Sequence, residues 1–390
     1  IFQPPMEMSC VERYFKEKVE QSYDDRKLII SRTANLTEPT EEQLELGRSK
    51  CQFRNDCMRG CSFGAYFSSQ SATLPAAQRT GNLTIITDNL CHSVIYDEAT
   101  KKATGVRVID TNTNEKKEYT AKVIFLCASA LSSTQIMLNS TSESFPNGIA
   151  NSSGVLGHFV MDHVFHAGAK GKMNIAEDRY YSGRRPNGVY IPRFLNLDSE
   201  HGEFIRGYGY EGWSSREGWG RLTNGAGHGA EFKESLNKPG QWEFEIMGFG
   251  EMLPRYANHV RLEHTKKDQW GMPLLHASCE HSDNEKAMQK SMMEEAVEML
   301  KITGFSDVEG YARFRPPGLC IHEMGTARMG RDPKTSVLNG FNQAHEVDNL
   351  FVTDGAAMAS SPCQNPSLTY MALTARAVDY VATKLKEGLL

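Results

Sequence analysis

Two groups of residues in this 390-residue chain have the types and spacing to do chemistry. The first is a cysteine triplet, Cys51, Cys57 and Cys61, in the segment KCQFRNDCMRGCSFG. Three thiolates so spaced face one point if the chain loops tightly, and Gly60 and Gly64 give the backbone that freedom. Three soft ligands without histidine favour an iron–sulfur cluster over zinc, which normally takes four ligands. The plainer alternative is a set of reduced cysteines packing a Gly-rich loop. The second group lies between Gly318 and Tyr370. His322 offers a base that titrates near neutrality, and Asn365 a neutral amide that can hydrogen-bond beside it. Each has an ordinary reading too: a core histidine bonded to a carbonyl, and a helix N-cap before Pro366 at the first helical position.

The surrounding elements must position these groups. Residues 350–353 (LFVT) read as a short apolar strand with Asp354 and Gly355 at its carboxyl end, then a loop and a helix over about 367–387. Open α/β sheets place ligands at such a point. The first N–H groups of that helix, with its positive dipole end, would stabilise an electron-poor ring that gains negative charge on reduction. Upstream, residues 9–23 carry apolar side chains at spacing four behind a Ser9/Glu12 capping pattern, which predicts an amphipathic helix. Residues 82–96 hold strand patterns, a turn follows at 98–102, and the next strands lead to a buried one at 123–127. A helix is expected over 131–139. GVLGHFVMDHV (154–164) crosses into a region of longer, aromatic-rich strands that predict an antiparallel sheet, followed by a helix over about 283–303 with Met and Ala inward.

Composition narrows the classes. A net charge of −5 and 39% apolar content give no sign of a nucleic-acid partner. No apolar run approaches the roughly 18 residues of a membrane span, so no transmembrane helix is expected. The opening IFQPPMEMSC lacks the charged and apolar regions of a signal peptide, and the absence of an initiating Met leaves the compartment unknown. Nine cysteines, an odd and scattered set, make a poor disulfide framework for a chain of this size. GYGYEG (207–212) matches a dinucleotide-binding pattern literally but sits in a strand-like run with no helix behind it. Asn35, Asn82, Asn139 and Asn151 lie in N-x-[ST] sequons, which matter only in a secreted eukaryotic protein.

HEMGTARMG (322–330), NLFVTDGA (349–356) and NPSLT (365–369) together resemble the carboxyl-terminal signature of the glucose–methanol–choline (GMC) family of flavin oxidoreductases. VIFLCASALSSTQIMLNS (123–140) resembles its second signature region. The resemblance implies an α/β fold: an incomplete Rossmann-like FAD-binding domain over 1–160 and 317–390, and an antiparallel-sheet substrate domain with helices over 161–316. It also implies FAD as cofactor, with Cys91 and Ala128 near the adenine side. Asp354, Gly355, Asn365, Pro366 and Ser367 would lie along the cofactor, with Ser367 near the pyrimidine edge. His322 and Asn365 would handle the substrate hydroxyl as a hydride moves to flavin N5. The His/Asn pair is most similar to the sugar-oxidising branch, which suggests a secondary alcohol of a sugar or glycoside, C3 among the positions. The triplet is similar to that of membrane-linked sugar dehydrogenases with a three-iron cluster. Those relatives imply a periplasmic setting, a small partner subunit and a cytochrome acceptor.

The family's amino-terminal βαβ unit, whose Gly-rich turn holds the FAD pyrophosphate, has no counterpart in these residues. A preceding segment or a companion chain would have to supply it. Two other functions stay open at this stage: a sugar oxidase passing electrons to oxygen, and a non-catalytic binding subunit.

Overall fold

Ser9 caps the first helix, Cys10–Ser22, through a complete capping box with Glu12. Val11, Phe15 and Val19 on its inner face are fully buried, as their spacing requires. The computed structural model describes residues 2–54, 57–175, 188–198, 200, 202–218, 227–238 and 240–390, apart from the side chain of Met58. Contacts gather the chain into two units.

The first unit comprises Ile1–Ile85, Phe165–Phe249 and Ala287–Phe314. Its sheet runs in the order Ile29–Ile30, Val189–Ile191, Tyr208–Arg216, Trp242–Glu251, Ala167–Met173, Ser306–Ala312. The described pairings are antiparallel, for example Phe244 opposite Gly171 and Tyr210 opposite Ile191. Phe15 packs its ring 4.6 Å from Phe244 and 5.9 Å from Phe305, seating the first helix on the sheet. In the helix Asp283–Ile302, Met288, Met292, Ala296, Met299 and Leu300 are fully buried. Tyr210 donates its hydroxyl to the Met292 carbonyl at 2.6 Å, so a buried phenol finds its partner on that helix. All of GYGYEG but Gly207 lies in the strand Tyr208–Arg216, not in a phosphate-binding turn.

The second unit comprises Ile86–Val164, Gly250–Lys286 and Arg315–Leu390. Ile124–Leu126 and Leu350–Val352 pair in parallel, Phe351 beside Phe125. Helices Ala130–Asn139 and Ser367–Lys386 follow these two strands, which makes this the Rossmann-like part. Alternation along Leu350–Val352 splits its side chains: Leu350 and Val352 join Ile124, Leu126 and Ile136 on one face. Phe351 stacks on Phe125 on the other, with Ala377 and Val381. The Asn349 amide braces the start of this strand, bonding both N–H and C=O of Ala103 and the Lys122 carbonyl. Asn89–Asp97, Lys102–Asp110 and Lys116–Thr120 form an antiparallel sheet. A second one runs Pro273–Ser278, His259–Lys267, His158–Met161, Met324–Thr326.

The whole is a mixed α/β architecture with antiparallel sheets, as expected from the sequence. Among the described residues no helix is long and apolar enough to cross a membrane.

Gly325 holds φ +88°, and a Cβ there would sit 2.0 Å from the Phe159 carbonyl oxygen. The strand Met324–Thr326 can therefore reach its partner only through glycine. Gly325→Ala is expected to destabilise by at least about 3 kcal/mol, the collision adding to backbone strain. Gly154→Ala, at φ +70° with open space around it, should cost only the strain of about 1–2 kcal/mol. Urea unfolding of both variants checks the difference; equal losses would rule out the collision.

Candidate active site

Asp162 organises the site. One oxygen of its buried carboxylate accepts from the backbone N–H of His163 at 2.8 Å and of His322 at 3.2 Å. The other accepts from Gly318 at 2.7 Å and Cys320 at 3.0 Å. Between the last two anchored residues, Ile321 adopts φ +59°, a strained value for a β-branched side chain, and is 77% exposed. The turn throws Ile321 outward and brings Cys320 and His322 to one side.

There His322 meets His163. Their Nδ1 atoms are 2.9 Å apart, and Cys320 Sγ lies 3.5 Å from the first and 3.7 Å from the second. His163 Nε2 lies 2.7 Å from the Pro362 carbonyl, which can only accept, so that nitrogen carries the proton. Nδ1 of His163 is then the acceptor, and Nδ1–H of His322 the donor. This leaves Nε2 of His322 with its lone pair. Burial, together with His322, pushes the pKa of His163 down to about 4. Burial also lowers that of His322, against the pull of the Asp162 charge. Both rings are neutral near pH 7, and only His322 is half-exposed.

Asp354 closes the strand Leu350–Val352 from its carboxyl end. It accepts from the Ser133 hydroxyl at 2.5 Å and from the Ala356 N–H at 2.9 Å. The same Ser133 oxygen accepts from the Ala128 N–H at 3.0 Å, so Ser133 bridges Ala128 and Asp354. Burial raises the Asp354 pKa, with Ser133 and the backbone N–H groups pulling the other way. At Gly355 a Cβ would lie 2.3 Å from the Glu323 carbonyl, which holds this turn against the His322 segment. Cys91 is half-buried opposite Val108, its thiol pushed up by burial, with no hydrogen bond to Ala128 or Asp354.

Asn365 is exposed, and no hydrogen bond joins it to His322. It is not the helix cap: Pro366 takes that place, with no side-chain cap bond, and the helix starts at Ser367. Its first N–H groups therefore have no side-chain partner at the cap. Tyr370, one turn on, has a buried hydroxyl with no hydrogen-bond partner among the described residues, 3.1 Å from the place of a Gly355 Cβ. Burial raises its pKa, and the Asp354, Glu323 and Asp162 carboxylates add to this. An uncapped helix start and an orphaned buried hydroxyl beside Asp354 suit a polar cofactor such as FAD.

Cys51, Cys57 and Cys61 form no disulfide. Gly60 and Gly64 both take positive φ and let the loop curl. The Asn35 amide nitrogen lies 3.9 Å from both Cys51 Sγ and Cys57 Sγ. Burial pushes the Cys61 thiol up, but backbone N–H groups of Tyr66, Phe63, Ala65 and Gly64 more than offset it and hold it below the usual range. Asn35 is itself buried, which removes its sequon from the surface.

Asp162, His163, Cys320, Ser133 and Tyr370 carry the site without standing out in the sequence. The adjacent acid and histidine of MDH, inside 154–164, are the one local feature that could have pointed to it.

Residues 33–164 match the amino-terminal and residues 254–374 the carboxyl-terminal profile of the GMC oxidoreductases. The chain belongs to the GMC oxidoreductase family. It is 30% identical to 2-methyl-1,2-propanediol dehydrogenase of Mycolicibacterium austroafricanum, over 73% of this chain and 52% of that protein. It is 27% identical to the fructose dehydrogenase large subunit of Gluconobacter japonicus, over 88% of this chain and 61% of that protein. This GMC chain thus spans about half to three fifths of the length of these relatives. The crystal structure of pyridoxine 4-oxidase from Mesorbium loti shares its fold, with a TM-score of 0.56 at 16% identity over 97% of this chain and 71% of that one.

Asn in place of Asp162 would present an amide NH2 to two of the four N–H donors whichever way it turned. Asp162→Asn is expected to destabilise the protein by about 3 kcal/mol or more. A urea unfolding midpoint equal to that of the unaltered protein would show that the 318–322 turn holds without the carboxylate.

Proposed function

We propose that this chain forms the larger part of an FAD-dependent dehydrogenase that oxidises a secondary alcohol of a sugar or related polyol. The observation that carries it is the proton order Pro362–His163–His322, which leaves a lone pair on His322 Nε2 at neutral pH. Alcohol oxidation removes a hydride from carbon and a proton from oxygen. FAD, when bound, supplies the hydride acceptor. His322 takes the hydroxyl proton at Nε2, and Asn365 orients the same oxygen once substrate fills the site. Asp354, Gly355, Pro366, Ser367 and the backbone at Cys91 and Ala128 would hold the cofactor, and Tyr370 joins them as a donor. The sugar and polyol relatives support a hydroxyl-rich substrate class, and the C3 hydroxyl of a glycoside is the first position to test.

The cofactor's pyrophosphate needs a Gly-rich βαβ unit from a preceding segment or a companion chain. Exposed Leu368, Met371, Val378 and Leu385 on the helix Ser367–Lys386 offer an apolar surface for it. The outer edge of Ile124–Leu126, with no strand partner among the described residues, offers a place for a strand.

The cysteine triplet favours a dehydrogenase over an oxidase. Cysteines around a multi-iron cluster bind different iron atoms, so their sulfurs need not converge as closely as ligands of one ion. Amide donors toward the sulfurs, here Asn35 and the N–H groups around Cys61, are among the features that tune such clusters. A small subunit and a cytochrome would then take the electrons; the fructose dehydrogenase large subunit, by its name, also works beside another subunit.

His322→Ala is expected to lower kcat by about 10²–10⁴-fold with flavin still bound. In the unaltered enzyme, kcat/KM should fall on the acid side with a midpoint below the ordinary 6.5, since protonated His322 cannot accept. Normal turnover in the variant would sink the assignment. Iron analysis tests the triplet: iron that disappears with Cys57→Ser supports the cluster, whereas iron-free, active, peroxide-producing protein means an oxidase.

A further inference from the structure

We propose that Cys320, His163 and His322 form a binding site for a thiophilic divalent cation, Zn²⁺ in particular, and that its occupancy switches off His322 as a base. The Sγ and the two Nδ1 atoms all lie within 4.8 Å of one another. An ion bonded at about 2.0–2.1 Å to nitrogen and about 2.3 Å to sulfur in a tetrahedron sets N and S about 3.6 Å apart and two nitrogens about 3.4 Å apart. The sulfur distances, 3.5 and 3.7 Å, already match. Only the 2.9 Å histidine pair must open, by about 0.5 Å, as its hydrogen bond gives way to the metal.

The surroundings are those of a built site. Ligating imidazoles commonly donate their other N–H to a carbonyl or carboxylate, and His163 does so to Pro362. The backbone N–H groups of all three ligands are bound by the one Asp162 carboxylate, which fixes the ligands relative to one another. His163 and Cys320 are buried, while half-exposed His322 gives the ion an entry and leaves a fourth position for water. Binding releases the Cys320 thiol proton to solvent. It also displaces the proton of His322 from Nδ1 to Nε2, since a ligating imidazole is neutral and offers one bare nitrogen. Nε2 then becomes a donor and cannot take a substrate proton. This last consequence rests on the assignment of His322 as the base; the site itself does not.

Zn²⁺ binding to the flavin-loaded protein, followed by titration calorimetry and by X-ray absorption at the zinc edge, tests it. The expected shell holds one sulfur with nitrogen or oxygen ligands. Cys320→Ala should weaken this site by at least about 100-fold, more than the about 10–100-fold that losing an outer-shell partner costs. A shell of sulfur alone would assign the ion to Cys51, Cys57 and Cys61 and overturn the proposal, as would unchanged affinity in Cys320→Ala. The absorption measurement uses the unaltered chain, so it decides even if the variant does not fold. Zinc held in the expected shell with turnover undiminished would leave the site standing and remove His322 from its role as base.

Discussion

A single buried carboxylate holds the candidate active site in shape. Asp162 accepts four backbone N–H groups, three of them from the turn 318–322. Hydrogen bonds to a charged group are worth about 1.5–3 kcal/mol each. The strained backbone of Ile321 costs about 1–3 kcal/mol. Four such bonds outweigh that strain and still leave a margin for taking the carboxylate out of water. The turn is therefore held by the acid rather than by its own residues, and His322 inherits its position from a side chain far away in sequence.

A second carboxylate works differently. Asp354 sits where a strand ends and ties the start of another helix to it through Ser133 and Ala128. Burial raises its pKa, whereas its hydrogen bonds pull it down. Below it, Thr134 donates to the Ala130 carbonyl at 2.8 Å and pairs with Thr326 at 2.7 Å, linking that helix to the strand Met324–Thr326. Through Thr326 and Gly325, the stretch that follows His322 is also locked to the Rossmann-like part. The proposed base is thus held both by Asp162 and by this strand, as a group that must meet a substrate atom within hydrogen-bond reach requires.

Much of this was readable from local pattern, and what was not has a common cause. The Ser9/Glu12 box, the spacing of Val11, Phe15 and Val19, and the run 350–353 before Asp354 are signals within a few residues, and each produced its element. Asp162 and His163 sit in a segment whose local pattern marks only a crossing between regions, because their meaning comes from residues 318–322 and from Pro362, remote in sequence. Asn365 shows the limit of cap rules: a residue of the right type stands two places before the helix, yet Pro366 is the cap. The glycines in the cysteine segment signal a loop that curls, as the positive φ of Gly60 and Gly64 has it, but spacing does not encode how the sulfurs are oriented. That depends on Asn35 and on the N–H groups of residues 63–66, which no spacing encodes.

The two histidines divide one task unequally, and burial decides how. His163, fully buried with its pKa down to about 4, does not hold a positive charge near neutrality. A proton taken up at His322 Nε2 therefore stays on His322, where the Asp162 charge offsets part of the cost. Half-exposure lets that ring pass the proton on to water. The Pro362 carbonyl at the far end of the chain of bonds cannot donate, so the order of protons cannot reverse while the contact lasts. A buried neutral imidazole with a fixed tautomer thus acts as a positioning group for its neighbour. The same bare Nδ1 that makes it a good acceptor for His322 is what makes it a ready metal ligand.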